Sequence, residues 1–108
     1  MLDREVLVSS APQDGWEPDP DVGGEMNTLY RDGSAEAGLS CFREPVDPIR
    51  WTLPSRETFY VLEGAARVEI EGGPTIEVGV GDMATIPKGA LTTWHLSTPF
   101  LDFYVLGP

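Results

Sequence analysis

The chain holds a single histidine, His95, and a single cysteine, Cys41. One histidine rules out any Ser–His or Cys–His nucleophilic system that does not use His95. One cysteine cannot form an internal disulfide, so nothing requires an oxidising compartment. Basic residues are scarce as well: seven Lys and Arg stand against eighteen Asp and Glu, a formal charge of −11. Such a surface repels nucleic-acid phosphates and anionic membranes, so neither is an expected partner. The opening Met-Leu-Asp-Arg-Glu-Val lacks the apolar stretch of a signal peptide. No window reaches membrane-spanning length, and the expected location is cytoplasmic. No segment sustains a helical period, and no internal repeat or linker is visible.

What is present fits one domain, residues 1–108, with one modest core. A hydrophobic fraction of 41% argues against disorder, and twelve Gly and ten Pro scattered through the chain punctuate short elements. About ten short strands are expected, the cadence of an all-β sandwich or barrel. Residues 2–8 suit a first strand. Residues 11–25, with three prolines, three glycines and five acids, suit a long surface loop anchored by Trp16, which packs on the barrel or on a partner subunit. Strands are expected at Asn27–Arg31, Leu39–Arg43, Ile49–Leu53, Glu57–Leu62, Arg67–Glu71, Thr75–Val78, Met83–Ile86, Thr92–Leu96 and Leu101–Leu106. Gly64 and Ser97-Thr98-Pro99 read as breaks between neighbouring strands, Asp82 as a turn cap, and Cys41 as core.

In this register Glu57, Phe59 and Val61 share one face of a strand, and Thr58, Tyr60 and Leu62 share the other. Tyr60 and Leu62 are candidates for a dimer contact. If Thr92 and Trp94 face the interior, His95 points away, unless a bulge re-aims it. On the last strand Asp102 and Tyr104 alternate with Leu101, Phe103 and Val105, and either set can face inward. Glu57 beside Trp51, Phe59 and Trp94 is a carboxylate among apolar walls, where burial raises a carboxyl pKa. It is either an acid/base or ligand-binding group, or a scaffold glutamate bonded to Trp94 Nε1 or a tyrosine hydroxyl. The aromatic residues either fill the barrel or line a small pocket.

The glycine spacing resembles that of cupins. Glu57, six residues and Gly64 fit the end of their first motif. Gly81, five residues, Pro87-Lys88-Gly89, and a motif histidine position occupied by Thr92 fit their second. Within cupins, Trp51-Thr52-Leu53 before Glu57, Tyr60-Val61-Leu62-Glu63-Gly64 and Trp94 resemble the small single-domain group related to the ureidoglycine aminohydrolase cupin domain. The resemblance covers the core from residues 49–106, with residues 1–48 supplying N-terminal strands and loop. It implies a jelly-roll of two antiparallel sheets, a homodimer, and a pocket in the barrel mouth. The family's metal-binding histidines fall here on Trp51 and Leu53, or Arg50 and Thr52, and on Thr92. Of four usual ligands only Glu57 remains, so no metal and no other cofactor is expected. The expected function is binding of a small polar organic ligand by Trp51, Leu53, Glu57, Phe59, Thr92 and Trp94, with Glu57 also the candidate catalytic group. The alternatives are an aminohydrolase- or isomerase-like enzyme of amine or ureide metabolism with an atypical or absent metal, and a structural dimeric module with a filled barrel.

Overall fold

A computed structural model of the chain describes residues 6–9 and 14–107, and the description below concerns these. They form eight strands and no helix: β1 (Glu17–Pro18), β2 (Glu25–Asp32), β3 (Ala35–Phe42), β4 (Ile49–Thr52), β5 (Glu57–Ile70), β6 (Thr75–Gly79), β7 (Met83–Ile86) and β8 (Leu91–Leu106). Every strand pair is antiparallel. No helix among the described residues is long and apolar enough to cross a membrane.

Two long strands make the fold. The first half of β5 pairs with β7 and with the end of β8, and its second half pairs with β6 and with the start of β8. β3 extends the layer built on the end of β8, while β4 joins the start of β8. One ladder therefore continues through two layers, β1-β2-β3-β8-β5-β7 and β4-β8-β5-β6, which face each other as the all-β jelly-roll expectation requires. The corner lies where β5 shifts register around Gly64. Gly64 has φ +79°, and a Cβ there would stand 2.5 Å from the Ser97 carbonyl oxygen and overlap that of Pro99. Only glycine lets the two strands cross so closely.

This geometry corrects the strand count. Gly64 and Ser97-Thr98-Pro99 do not end strands; they bend them, so four expected strands become two, β5 and β8. Turn residues mark a change of direction, and a bulge satisfies them as well as a break does. The expected strand at 2–8 lies partly outside the described residues, and Val6, Leu7 and Val8 are exposed and carry no strand. The expected loop over 11–25 contains the short β1, followed by a turn. In that turn the Asp19 carboxylate accepts from the Asp21 and Val22 amides at 2.8 and 3.4 Å, and the Gly23 amide donates to the Asp19 carbonyl at 3.1 Å. Trp16 is half-buried with the Arg43 guanidinium 5.9 Å from its ring centroid, so it packs on its own barrel.

The core between the layers is built on Leu53, Phe59, Val61, Val68, Ile86 and Phe100, each at most 2% exposed. Phe59 and Val61 point inward as the alternation of β5 requires, with Tyr60 and Leu62 outward. Asp82 Oδ2 accepts from the Gly79 amide at 2.9 Å and closes the expected turn before β7. Cys41 is buried, and burial raises its thiol pKa, as suits a core residue.

Candidate functional site

The core does not fill the barrel. A cavity of about 440 Å³ remains, bordered by Trp51, Glu57, Trp94, Asp102 and Tyr104 together with the turn after β1. Each wall has a sequence cause. Glu57 opens β5 on the same face as Phe59 and Val61. Trp51 sits on β4 opposite Thr92, and Ile49 opposite Trp94, so the inward face of the β4–β8 pair presents both indoles. Asp19, Asp21 and Val22 close another side, held there by the turn that Asp19 caps.

Trp94 is fixed by a short relay. Its Nε1 donates to Thr92 Oγ1 at 2.9 Å, and Thr92 Oγ1 donates to the Trp51 carbonyl at 2.5 Å. Phe59 packs against the same indole, with ring centroids 5.0 Å apart and planes at 49°. Trp94 Nε1 therefore donates to Thr92 Oγ1 and not to Glu57, so Glu57 does not have Trp94 as its partner. Burial raises the Glu57 pKa to about 7, opposed by a hydrogen bond from Trp51 and reinforced by the negative charge of Asp19.

Asp102 is the residue that sequence reasoning missed. It lies on β8 between Ser40 of β3 and Val61 of β5, its side chain on the inward face. It is 3% exposed, and its Oδ1 is the one buried side-chain oxygen or nitrogen without a hydrogen-bond partner among the described residues. Burial pushes its pKa well above the usual carboxylate range, the charge of Glu57 adds to this, and a backbone hydrogen bond from Ser40 opposes it. Alternation alone could not assign Asp102 and Tyr104 to the interior, because the competing set, Leu101, Phe103 and Val105, is the more apolar. Pairing of Tyr104 with Phe59 would have decided it.

Tyr104 brings a second polar chain to the cavity. Its hydroxyl donates to Glu36 Oε2 at 2.6 Å, and Glu36 Oε1 accepts from Arg31 at 3.0 Å. Burial, then Glu36, holds the Tyr104 pKa above the usual tyrosine value. Among the described residues Arg31 is the sole cation bordering the cavity, against the acids Glu17, Asp19, Asp21, Glu36, Glu57 and Asp102.

Of the expected site residues, the structure brings Trp51, Glu57 and Trp94 together at the cavity. Leu53, Phe59 and Thr92 are not on its border; they are at most 3% exposed and support it from behind. Thr92 stands at the family's histidine position, yet its hydroxyl is consumed by the relay. His95 points away from the cavity and pairs with Glu69 at 2.5 Å. No three His, Cys, Asp or Glu side chains among the described residues are placed to hold one ion. With Trp51, Leu53 and Thr92 at the histidine positions, the donor set does not fit the resident divalent metal of other cupins.

Antiparallel layers that share bent strands, a mouth bordered by the motif glutamate, and glycine turns at Gly64, Gly81 and Gly89 together define a cupin barrel. Residues 48–103 match the EutQ-like cupin domain, and the chain belongs to that family. This match carries the EutQ-like cupin family, and the resemblance to the ureidoglycine aminohydrolase domain goes beyond it. Among solved structures, the chain is similar to the Clostridium difficile EutQ protein at 22% identity and TM-score 0.68, covering 83% of this chain and 71% of that one. It is 30% identical to a Salmonella typhimurium protein described as ethanolamine utilization protein Q, at TM-score 0.64, covering 78% and 68%. An acetylacetone dioxygenase from Acinetobacter johnsonii shares the fold at TM-score 0.74 and 11% identity, covering 94% and 73%. No curated protein matches the sequence.

Proposed function

We propose that the chain is a small-molecule-binding cupin that holds a small polar organic ligand in the barrel mouth without a metal, with Glu57 as the charged anchor. The observation that carries this reading is the cavity of about 440 Å³ walled by Trp51 and Trp94 with Glu57 on its border. Apolar walls with a few convergent polar groups are the usual anatomy of a ligand site. An open cavity also argues against the filled-barrel alternative. The donor set described above supports the metal-free part of the reading.

A thermal-shift panel of ureides, amines and small acids on wild type and Glu57→Gln tests the anchor role. Ligands that stabilise wild type and lose most of that shift in Glu57→Gln support it. Equal stabilisation of both forms contradicts it. Stoichiometric Mn, Fe, Ni or Zn in protein purified without chelator contradicts the metal-free part.

The pKa of Glu57 near 7 favours a second reading, an enzyme of amine or ureide metabolism in which Glu57 moves a proton. The resemblance to the ureidoglycine aminohydrolase domain points the same way. Turnover of a ureide that Glu57→Gln abolishes would select this reading over simple binding.

The outer face of the β7–β5–β8 layer fits a second copy of the chain. Tyr60, Leu62, Met83, Phe103 and Val105 are between 37% and 61% exposed there. Two chains of formal charge −11 repel except across such an uncharged patch, and a two-fold contact would be self-complementary. Sedimentation of wild type as a dimer and of Tyr60→Lys as a monomer supports this assembly; a monomeric wild type contradicts it.

A further inference from the structure

The cavity carries more chemical information than one anchor. Its charged border is lopsided: Glu17 and Asp19 of β1 and its turn, Glu36 of β3, Glu57 of β5 and Asp102 of β8 face it, together with Asp21. Arg31 of β2 is the one cation among the described residues there, its side chain 59% exposed and already bonded to Glu36 through two nitrogens. Tyr104, the remaining titratable neighbour among the described residues, uses its hydroxyl hydrogen to donate to Glu36. Among the described residues, no charged or tyrosine side chain on this border is free to hold an anion.

The acidic cluster alone would not make a site. The second observation is Asp102 itself: fully buried, on the cavity border, with an oxygen that no protein group satisfies. A buried carboxyl oxygen without a partner is destabilising, and a core position opposite Val61 would suit an apolar residue at lower cost. What removes that cost is a donor brought in by a ligand. The indoles of Trp51 and Trp94 supply apolar walls that also favour a cation.

We propose that the cavity binds a small organic ammonium ion, a primary amine carrying an apolar group, with its charged head held by the carboxylates of Asp102 and Glu57 and its apolar part against Trp51 and Trp94. This assigns Asp102 as a binding residue and names the ligand class, and it rests on the pocket reading given above.

A consequence separates it from ordinary pocket binding. Without a ligand, burial favours the protonated form of Asp102 and leaves Glu57 about half protonated near pH 7. An ammonium ligand requires the ionised forms, so its binding releases protons and tightens as pH rises. For Glu57 alone, ionisation goes from about one tenth at pH 6 to about nine tenths at pH 8, roughly a tenfold gain in affinity. A carboxylic acid ligand would show the opposite slope.

Calorimetric titration with benzylamine, benzyl alcohol and benzoate at pH 6 and pH 8 tests the inference, with manganese(II) chloride titrated alone as a fourth probe. The proposal predicts that benzylamine binds at least tenfold more tightly than benzyl alcohol, that its affinity rises about tenfold from pH 6 to pH 8, and that proton release appears as a buffer-dependent heat. Asp102→Asn should weaken benzylamine at least tenfold and benzyl alcohol by a much smaller factor. If that variant does not fold, Glu57→Gln and the wild-type pH profile decide the matter. Benzyl alcohol or benzoate binding as tightly as benzylamine overturns the ammonium class while leaving the pocket reading intact. Binding of none of the three organic probes removes both. Stoichiometric manganese binding lost in Asp102→Asn overturns the proposal in favour of a metal site.

Discussion

A carboxyl group whose pKa is raised by folding makes the protein less stable once it is ionised, and Glu57 is such a group. Its pKa goes from an ordinary 4.5 to about 7 on folding. Between those values the folded state holds more proton than the unfolded chain, so stability falls as pH rises from about 4.5 to about 7 and is level above. A shift of this size corresponds to about 3–4 kcal/mol at most, at 1.36 kcal/mol per pKa unit. Because Glu57 keeps some contact with solvent, ~2 kcal/mol is the working figure. Glu57→Gln keeps the shape and removes the ionisation. The variant should therefore match wild type near pH 4 and exceed it by ~2 kcal/mol at pH 8, a rise of roughly 8 °C in Tm for a chain of this size. Urea unfolding of both proteins at half-unit steps from pH 4 to pH 8 measures it. Asp102 contributes in the same direction through its own raised pKa, so the slope of Glu57→Gln should be reduced and not abolished. A variant less stable than wild type at pH 8 would refute the reasoning, because it would mean that the ionised Glu57 is satisfied by partners and stabilises the fold.

Other substitutions test the framework behind the site. Thr92→Val removes the acceptor of Trp94 Nε1 and leaves that donor buried, so unfolding should show a loss of about 1–3 kcal/mol. Phe59→Ala deletes a side chain 1% exposed that packs on Trp94, and should cost about 3–5 kcal/mol in the same assay. Gly64→Ala forces a Cβ into the Ser97 and Pro99 carbonyls at φ +79°; it should lose about 2 kcal/mol or more, read as a lower urea midpoint.

Much of this arrangement was legible in the residues, and the rest was not for identifiable reasons. Alternation along β5 placed Glu57, Phe59 and Val61 inward, because a strand buried on one face has a strict two-residue period. The glycine spacing located the turns of the cupin frame at Gly64, Gly81 and Gly89. Strand length was misjudged at Gly64 and at Ser97-Thr98-Pro99 because local composition cannot tell a bend that keeps its pairing from a break that loses it. Asp102 was left open because its strand is more apolar on the outer face than on the inner one. That inversion goes with a polar cavity border on the inside and exposed apolar side chains on the outer sheet face. The turn after β1 was unreadable as a cavity wall, since its place depends on contacts far along the chain.

Phe59 and Thr92 illustrate a finer limit. Both lie on the faces that alternation assigned to them, and both are buried, yet they stand behind Trp94 and not on the cavity border. A sequence reports which face a side chain takes; which of two inward neighbours reaches the open space depends on side-chain size. The bulkier indole of Trp94 lies over the smaller groups.

The central claim is that a ligand sits in the mouth beside Glu57, and the three tryptophans provide a direct reporter. Trp51 and Trp94 border the cavity, while Trp16 packs with Arg43 and does not. Nitrogen–proton spectra of the three indole groups, recorded during titration with the amines, ureides and acids that stabilise the protein, give one signal per tryptophan. The account predicts that the Trp51 and Trp94 signals move on binding while the Trp16 signal stays in place. A titration that shifts Trp16 alone, or saturates the protein without moving either cavity indole, would contradict it.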